Sequence, residues 1–158
     1  MVAYAVPVGP GGDRFVSRAG PDALRETVGV RRQYNLWPSG QGIDAWDVDR
    51  LIQLSRDLPI HDVPLAAITE VDSDYWFRHG PIVPTVRRLI EHMRLTAEAD
   101  TSYPIILAAN GRVMDGMHRV ARAILDGDAT IRAVRFVTDP EPDYRNCSPP
   151  DLPLDGYH

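Results

Sequence analysis

Five consecutive residues, Asp115-Gly116-Met117-His118-Arg119, bring a carboxylate, a glycine, an imidazole and a guanidinium to what reads as a turn running into a helix. The chemistry they suggest is anion capture. A helix start presents unpaired backbone N–H groups and a partial positive charge, Gly116 lets a ligand approach the main chain, and His118 and Arg119 add side-chain donors. Phosphate is the natural guest, and Arg122, one helical turn beyond, extends the same positive face. Asp115 carries two readings, a helix cap or a ligand for magnesium arriving with a nucleotide. A plainer account stands beside these, with Asp115 as cap, Gly116 as turn residue, and His118 and Arg119 as surface groups, because glycine turns before helices are common.

Composition narrows the choices. The chain has 158 residues and 44% are apolar, enough for one domain core. All 17 basic residues are arginine, so chemistry that needs a lysine amine is excluded: Schiff-base catalysis, a pyridoxal anchor, or a P-loop lysine. A net charge of -5 and a pI near 5.4 argue against a general nucleic-acid coat. Cys147 is the sole cysteine, which excludes an internal disulfide and any multi-thiolate metal site. With no apolar run of membrane-spanning length and Pro7 and Pro10 where a signal peptide needs an apolar stretch, the expectation is a cytoplasmic protein that does not enter a membrane.

The elements that must position the motif follow from periodicity. Residues 1–20 read as an arm, a short helix is expected from Pro21, and Asp44 is expected to cap a helix carrying Trp46, Val48, Leu51, Ile52 and Leu54. Residues 60–71 have strand character with Pro64 at an edge, and 72–81 read as a loop. Pro84-Thr85 opens a helix with Val86, Leu89, Ile90, Met93 and Ala97 on one face and Arg87, Glu91, Arg94 and Glu98 on the other. Tyr103–Ala108 reads as a buried strand, Asn110-Gly111 as a hairpin turn, Arg112–Met114 as its partner, and 117–126 as a helix stopped by Gly127. Residues 130–137 alternate as a last strand, and 138–158 form an extended tail or clasp. The class is α+β, a small mixed sheet with packed helices, divided as 1–59 arm and helices, 60–137 core and 138–158 Pro/Asp-rich tail.

The segment YPIILAANGRVMDGMHRVARAILDG resembles the ParB/sulfiredoxin superfamily, whose members share a strand, a short hairpin and a Gly-x-x-Arg helix start; the similarity extends from Val63 to Phe136. The resemblance implies that fold and a turn that binds nucleotide phosphates. Gly116, His118 and Arg119 match the Gly-x-His-Arg form seen in sulfiredoxins, and Asp115 adds the Asp-Gly start of related free-serine kinases. Sulfiredoxins place a reactive cysteine where this chain has Met117, so sulfinic-acid repair is not expected. Partition proteins carry Glu-Arg at the positions of Met117 and His118, followed by DNA-binding and dimerisation modules, for which residues 138–158 leave no room; a centromere role is not expected. The kinase branch has a second histidine at the position of Met117 and an acidic base after its first core strand, for which Glu70 is the nearest equivalent.

The resulting expectation is Glu70 and Asp115 as catalytic carboxylates, and Gly116, Met117, His118, Arg119 and Arg122 as the phosphate or nucleotide site. The cofactor is a nucleotide (ATP, ADP or CTP) with Mg²⁺, and the reaction is phosphotransfer or nucleotide hydrolysis on a small molecule. Glu70, with Asp72 and Asp74, also reads as an ordinary solvated acidic loop. Tyr75, Trp76 and Phe77 either close over a substrate or anchor their loop to the core, and His61, His79 and His92 lack metal-ligand spacing and read as structural or exposed. A different class stays open, a non-enzymatic module in which a bound nucleotide switches a protein contact; DNA binding finds little support in an acidic chain without lysine.

Overall fold

A computed structural model describes residues 33–78, 83–148 and 152. The expected arm at 1–20, the helix from Pro21, and His79 lie outside the described residues. The rest is α+β, with two small sheets and three α-helices.

The first described elements are strands β1 (Tyr34–Pro38) and β2 (Ile43–Asp47), paired antiparallel across a turn closed by Ser39 N–H donating to Gly42 O at 2.9 Å. This corrects the helix expected from Asp44. Asp44–Asp47 are strand, Trp46 packs beside Trp37 with ring centres 5.0 Å apart, and helix α1 is Val48–Ser55. Its cap is Asp47, whose side chain accepts from Asp49 N–H at 2.9 Å. Asp44 instead accepts from the Asn146 N–H, because the chain's other end comes back to pair here.

That returning segment is strand β7 (Tyr144–Cys147), antiparallel to β2 and completing the first sheet in the order β1-β2-β7. Trp46 Nε1–H donates to Pro140 O at 2.8 Å, and the Asp143 carboxylate accepts from Asp47 N–H and from Arg50, each at 2.9 Å. Residues 140–147 are therefore a clasp.

The second sheet joins β3 (Ile60–Pro64), β4 (Ile105–Leu107), β5 (Val113–Asp115) and β6 (Thr130–Arg135) in the order β3-β6-β4-β5, with only the β4–β6 pair parallel. The strand expected over 60–71 stops at Pro64 and gives way to two 3-10 turns, Leu65–Ala67 and Thr69–Asp72. A parallel pair needs a crossover, and helix α3 (Met117–Asp126) supplies it. Gly127 ends α3 in the left-handed region at φ 79°.

Both faces of this sheet are covered, which is why every residue of β4 is buried. Ile105, Leu107, Val113, Ile131 and Ala133 pack on Met117, Val120 and Ala123 of α3. On the opposite face Ile106, Met114, Val134 and Phe136 meet Trp37, Trp46 and Leu51. This second cluster joins residues from the expected 1–59 and 60–137 segments, while β7 ties the tail to β2.

Helix α2 (Val86–Ala97) begins where expected, with Thr85 Oγ1 accepting from Arg88 N–H, and packs against α3. Its apolar stripe does not face the core. Thr96 is its buried residue and His92 is half-buried, while Val86, Leu89, Ile90 and Met93 are exposed.

Gly42 tests the clasp. A Cβ there lies 2.9 Å from the Asn146 carbonyl carbon and oxygen, which are backbone atoms that cannot rotate aside. Gly42→Ala is expected to push β7 off β2, lowering unfolding free energy by about 1–3 kcal/mol in urea titrations and exposing the 140–147 segment to proteolysis.

Candidate anion-binding site

The motif lies where the expectation put its backbone. Strand β5 ends at Asp115, Gly116 takes φ 104°, and α3 starts at Met117. A side chain at Gly116 is excluded twice over: the positive φ disfavours it, and a Cβ would sit 2.7 Å from Ile105 Cγ2 and 2.8 Å from an Arg119 guanidinium nitrogen. Gly116 is itself the N-cap residue, and no side chain caps the helix. The reading of Asp115 as the cap is therefore corrected.

Asp115 engages Arg119 instead. Arg119 folds back over Gly116, and Nη2 donates to Asp115 Oδ2 at 2.9 Å and to Pro104 O at 3.4 Å. Both side chains are largely shielded, at 22% and 19% exposure, so the ion pair holds the guanidinium in one place. Its Nε–H is buried without a partner, an unsatisfied cationic donor next to an uncapped helix start.

His118 meets a residue that sequence reasoning set aside. Its Nε2 lies 2.9 Å from His92 Nδ1 of α2, so one ring donates and the other accepts. Trp76 stacks on both imidazoles, with ring centres 4.4 Å from His92 and 5.1 Å from His118, and Phe77 meets His92 edge-on. Burial, and then the neighbouring His92, push His118 down to about 4, and burial also lowers His92. At neutral pH the pair is uncharged, so His118 offers polarity to a ligand but no positive charge.

Glu70 is buried in the second 3-10 turn, not solvated. One carboxylate oxygen accepts from Val113 N–H at 2.9 Å. Tyr75 approaches the same residue, its hydroxyl donating to Val113 O at 3.5 Å, and burial raises the phenol to about 12. Together they cover the edge strand β5 at Val113. Asp72 and Asp74 are exposed, as an acidic loop should be.

Two of the expected site residues stand apart. The Met117 side chain belongs to the core, leaving only its main chain for a ligand. Arg122 donates to Asp126 at 2.8 Å and to Ala97 O at 2.9 Å, tying α3 to the C-terminal end of α2 instead of joining the cluster. The structure thus gathers Asp115, Gly116, His118 and Arg119, with Glu70 bonded two strand positions before Asp115, at Val113. The additions are His92, Trp76 and Tyr75. Tyr75 and Trp76 pack against the core as the anchoring alternative has it, and nothing local signals their meeting with His92 and α3, because α2 and the 73–78 loop reach α3 only through tertiary packing.

Among the described residues no group of three or more His, Cys, Asp or Glu side chains is arranged to hold a metal ion. With Asp115 engaged by Arg119 and Glu70 by Val113, the donor set does not fit a protein-built magnesium site. A cleft of about 560 Å³ lies elsewhere, between Leu58, His61, Val63, Arg135 and Phe136. No helix among the described residues is long and apolar enough to cross a membrane. No family model, curated protein or solved structure matches the chain.

The imidazole pair sets a pH dependence. Unfolded histidine titrates near its ordinary 6.5, whereas folded His118 resists protonation until about 4. Between those values the unfolded chain binds more protons, so the stabilisation is complete above 6.5 and declines as pH falls through the window. Melting temperature should drop across it more steeply in the native protein than in His118→Gln; parallel curves would show that the buried imidazole is not responsible. Glu70 offers a second check. Glu70→Ala strands the Val113 N–H and should cost about 1–3 kcal/mol in chemical denaturation, whereas Glu70→Gln keeps an acceptor oxygen and should cost much less.

Proposed function

We propose that this protein binds the phosphate groups of a nucleotide at the Gly116 turn and acts as a phosphotransferase or nucleotide hydrolase on a small molecule. The observation that carries the reading is Arg119, clamped by Asp115 over a helix start without a side-chain cap and holding a buried, unpartnered Nε–H. An arriving phosphate can satisfy that donor together with the first amides of α3 and add a counter-charge to the guanidinium. Asp115 is then a positioning residue for Arg119.

The ParB/sulfiredoxin-like fold belongs to the same proposal. It is supported by the resemblance over 103–127 and by a hairpin, glycine turn and crossover helix in that order within a mixed sheet. Any Mg²⁺ would be held mainly by the nucleotide's own phosphate oxygens, consistent with the engaged carboxylates. Glu70 keeps the proposed role of base, taking the proton of the acceptor substrate's hydroxyl through the oxygen that Val113 does not use.

One feature favours a nucleotide-responsive module instead. His118 of the site is paired with His92 of α2, the helix whose apolar stripe faces solvent, so ligand contact at one could be felt at the other.

Thermal melting with ATP, ADP, CTP and GTP, each with magnesium, separates these. At least one nucleotide should raise the melting temperature, and Arg119→Ala should remove the shift. No shift with any of them contradicts phosphate capture. If one binds, prolonged incubation with hydroxyl acceptors including free serine decides between the readings. Turnover lost in Glu70→Gln with binding retained supports the enzyme, and an intact nucleotide supports the module.

A further inference from the structure

Helix α2 presents an apolar stripe to solvent: Val86 is 73% exposed, Ile90 58% and Met93 69%, with Ala97 exposed at the end of the same row. A bare row of this kind on a soluble helix marks a contact surface. The pattern on the helix says what the contact is.

Along the row the spacings are four, three and four residues, which read the same in both directions. An antiparallel copy of the helix therefore meets it in register, Val86 opposite the second copy's Ala97 and Ile90 opposite its Met93. The flank beside the row carries Arg87, Glu91, Arg94 and Glu98, in the order plus, minus, plus, minus. Reversed, that order becomes minus, plus, minus, plus. The flank is centred one residue, about 1.5 Å, further along the helix than the row, an offset that long side chains span, so antiparallel pairing brings Arg87 near the second copy's Glu98 and Glu91 near its Arg94, each twice. Parallel pairing would put the two copies of this flank on opposite sides of the dimer, where these pairs cannot form. Within one chain Arg94 already bonds Glu98 at 2.9 Å, an exposed pair free to exchange partners.

We infer that this chain forms a two-fold dimer through antiparallel packing of α2 on α2, the partner being a second copy of itself. A self-complementary patch is what an isologous interface requires, and charge order on the flank selects the antiparallel arrangement. One helix pair is a small interface, so the dimer dissociates on dilution. His92 lies on the opposite side of α2 and keeps its contact with His118.

Sedimentation equilibrium of the full chain over a dilution series tests this. The mass is expected to rise from 17.6 kDa toward twice that value as concentration increases. Ile90→Glu with Met93→Glu should hold it at one chain, with circular dichroism verifying that the helix persists. Glu91→Arg with Glu98→Arg makes the flank uniformly positive and should raise the dissociation constant about tenfold or more. Adding Arg87→Glu and Arg94→Glu to that variant restores an alternating flank of opposite order, and should restore the dimer. A single-chain mass at every concentration overturns the inference, whether the face stays bare or residues 1–32 cover it. So does a dimer indifferent to these substitutions, or one that the full charge exchange fails to rescue.

Discussion

The absence of a side chain at Gly116 governs much of this molecule. There the chain leaves β5 and enters α3, and it does so with φ 104° in space that Ile105 and the Arg119 guanidinium would deny to a Cβ. The same contact that forbids a side chain puts the cation at the helix start. Asp115, the last residue of β5, then reaches the guanidinium one helical turn away and fixes it. Strand end, turn and helix start are thus one device, and the crossover that makes β4 and β6 parallel neighbours begins from it.

Around that device the second sheet is buried from both sides, and the two coverings have different origins. Helix α3 is local to the sheet in sequence. The other cover, built from Trp37, Trp46 and Leu51, comes from the first described elements and is pinned by the clasp at 140–147. The latter relies on main-chain pairing and on Asp143, which accepts from the Asp47 amide and from Arg50. The termini of the described region therefore hold the face of the sheet opposite the site.

What the sequence made legible was local. Asn110-Gly111 announced the β4–β5 hairpin, Gly127 the end of α3, Thr85 the start of α2, and alternation the strand at 130–135. Helix α1 was misplaced because Asp44 and Asp47 are equally good caps; pairing with β1 and β7, remote in sequence, makes strand of the residues between them. The stripe on α2 is legible as a stripe, but periodicity reports that a face is apolar and not what lies against it. The contiguous part of the site, Asp115 to Arg119, was legible for the same reason as the hairpin. His92 was not, and Tyr75 and Trp76 were legible only as loop aromatics that close over a substrate or anchor to the core, because each reaches the site through contacts between separate elements. Glu70 was singled out, yet its burial against the Val113 amide depends on the two 3-10 turns that replace the expected end of β3.

Under the proposed function, these contacts decide how a ligand at the Gly116 turn is communicated. The Asp115–Arg119 pair is internal to the turn and α3, so a change there need not travel. His118 is different, since its ring nitrogen is bonded to α2 and Trp76 lies across both imidazoles. His118 meets His92 through Nε2, so a ligand that accepts from its Nδ1–H makes His118 the acceptor and His92 the donor of the pair, while Arg122 holds α2 further along at Ala97 O. The size of the response is bounded by the difference in ligand affinity between the two imidazole arrangements, because a ligand that binds both equally shifts nothing. In the proposed function the charged groups of the turn answer for anion binding, and the neutral histidine pair is the contact through which α2 registers it.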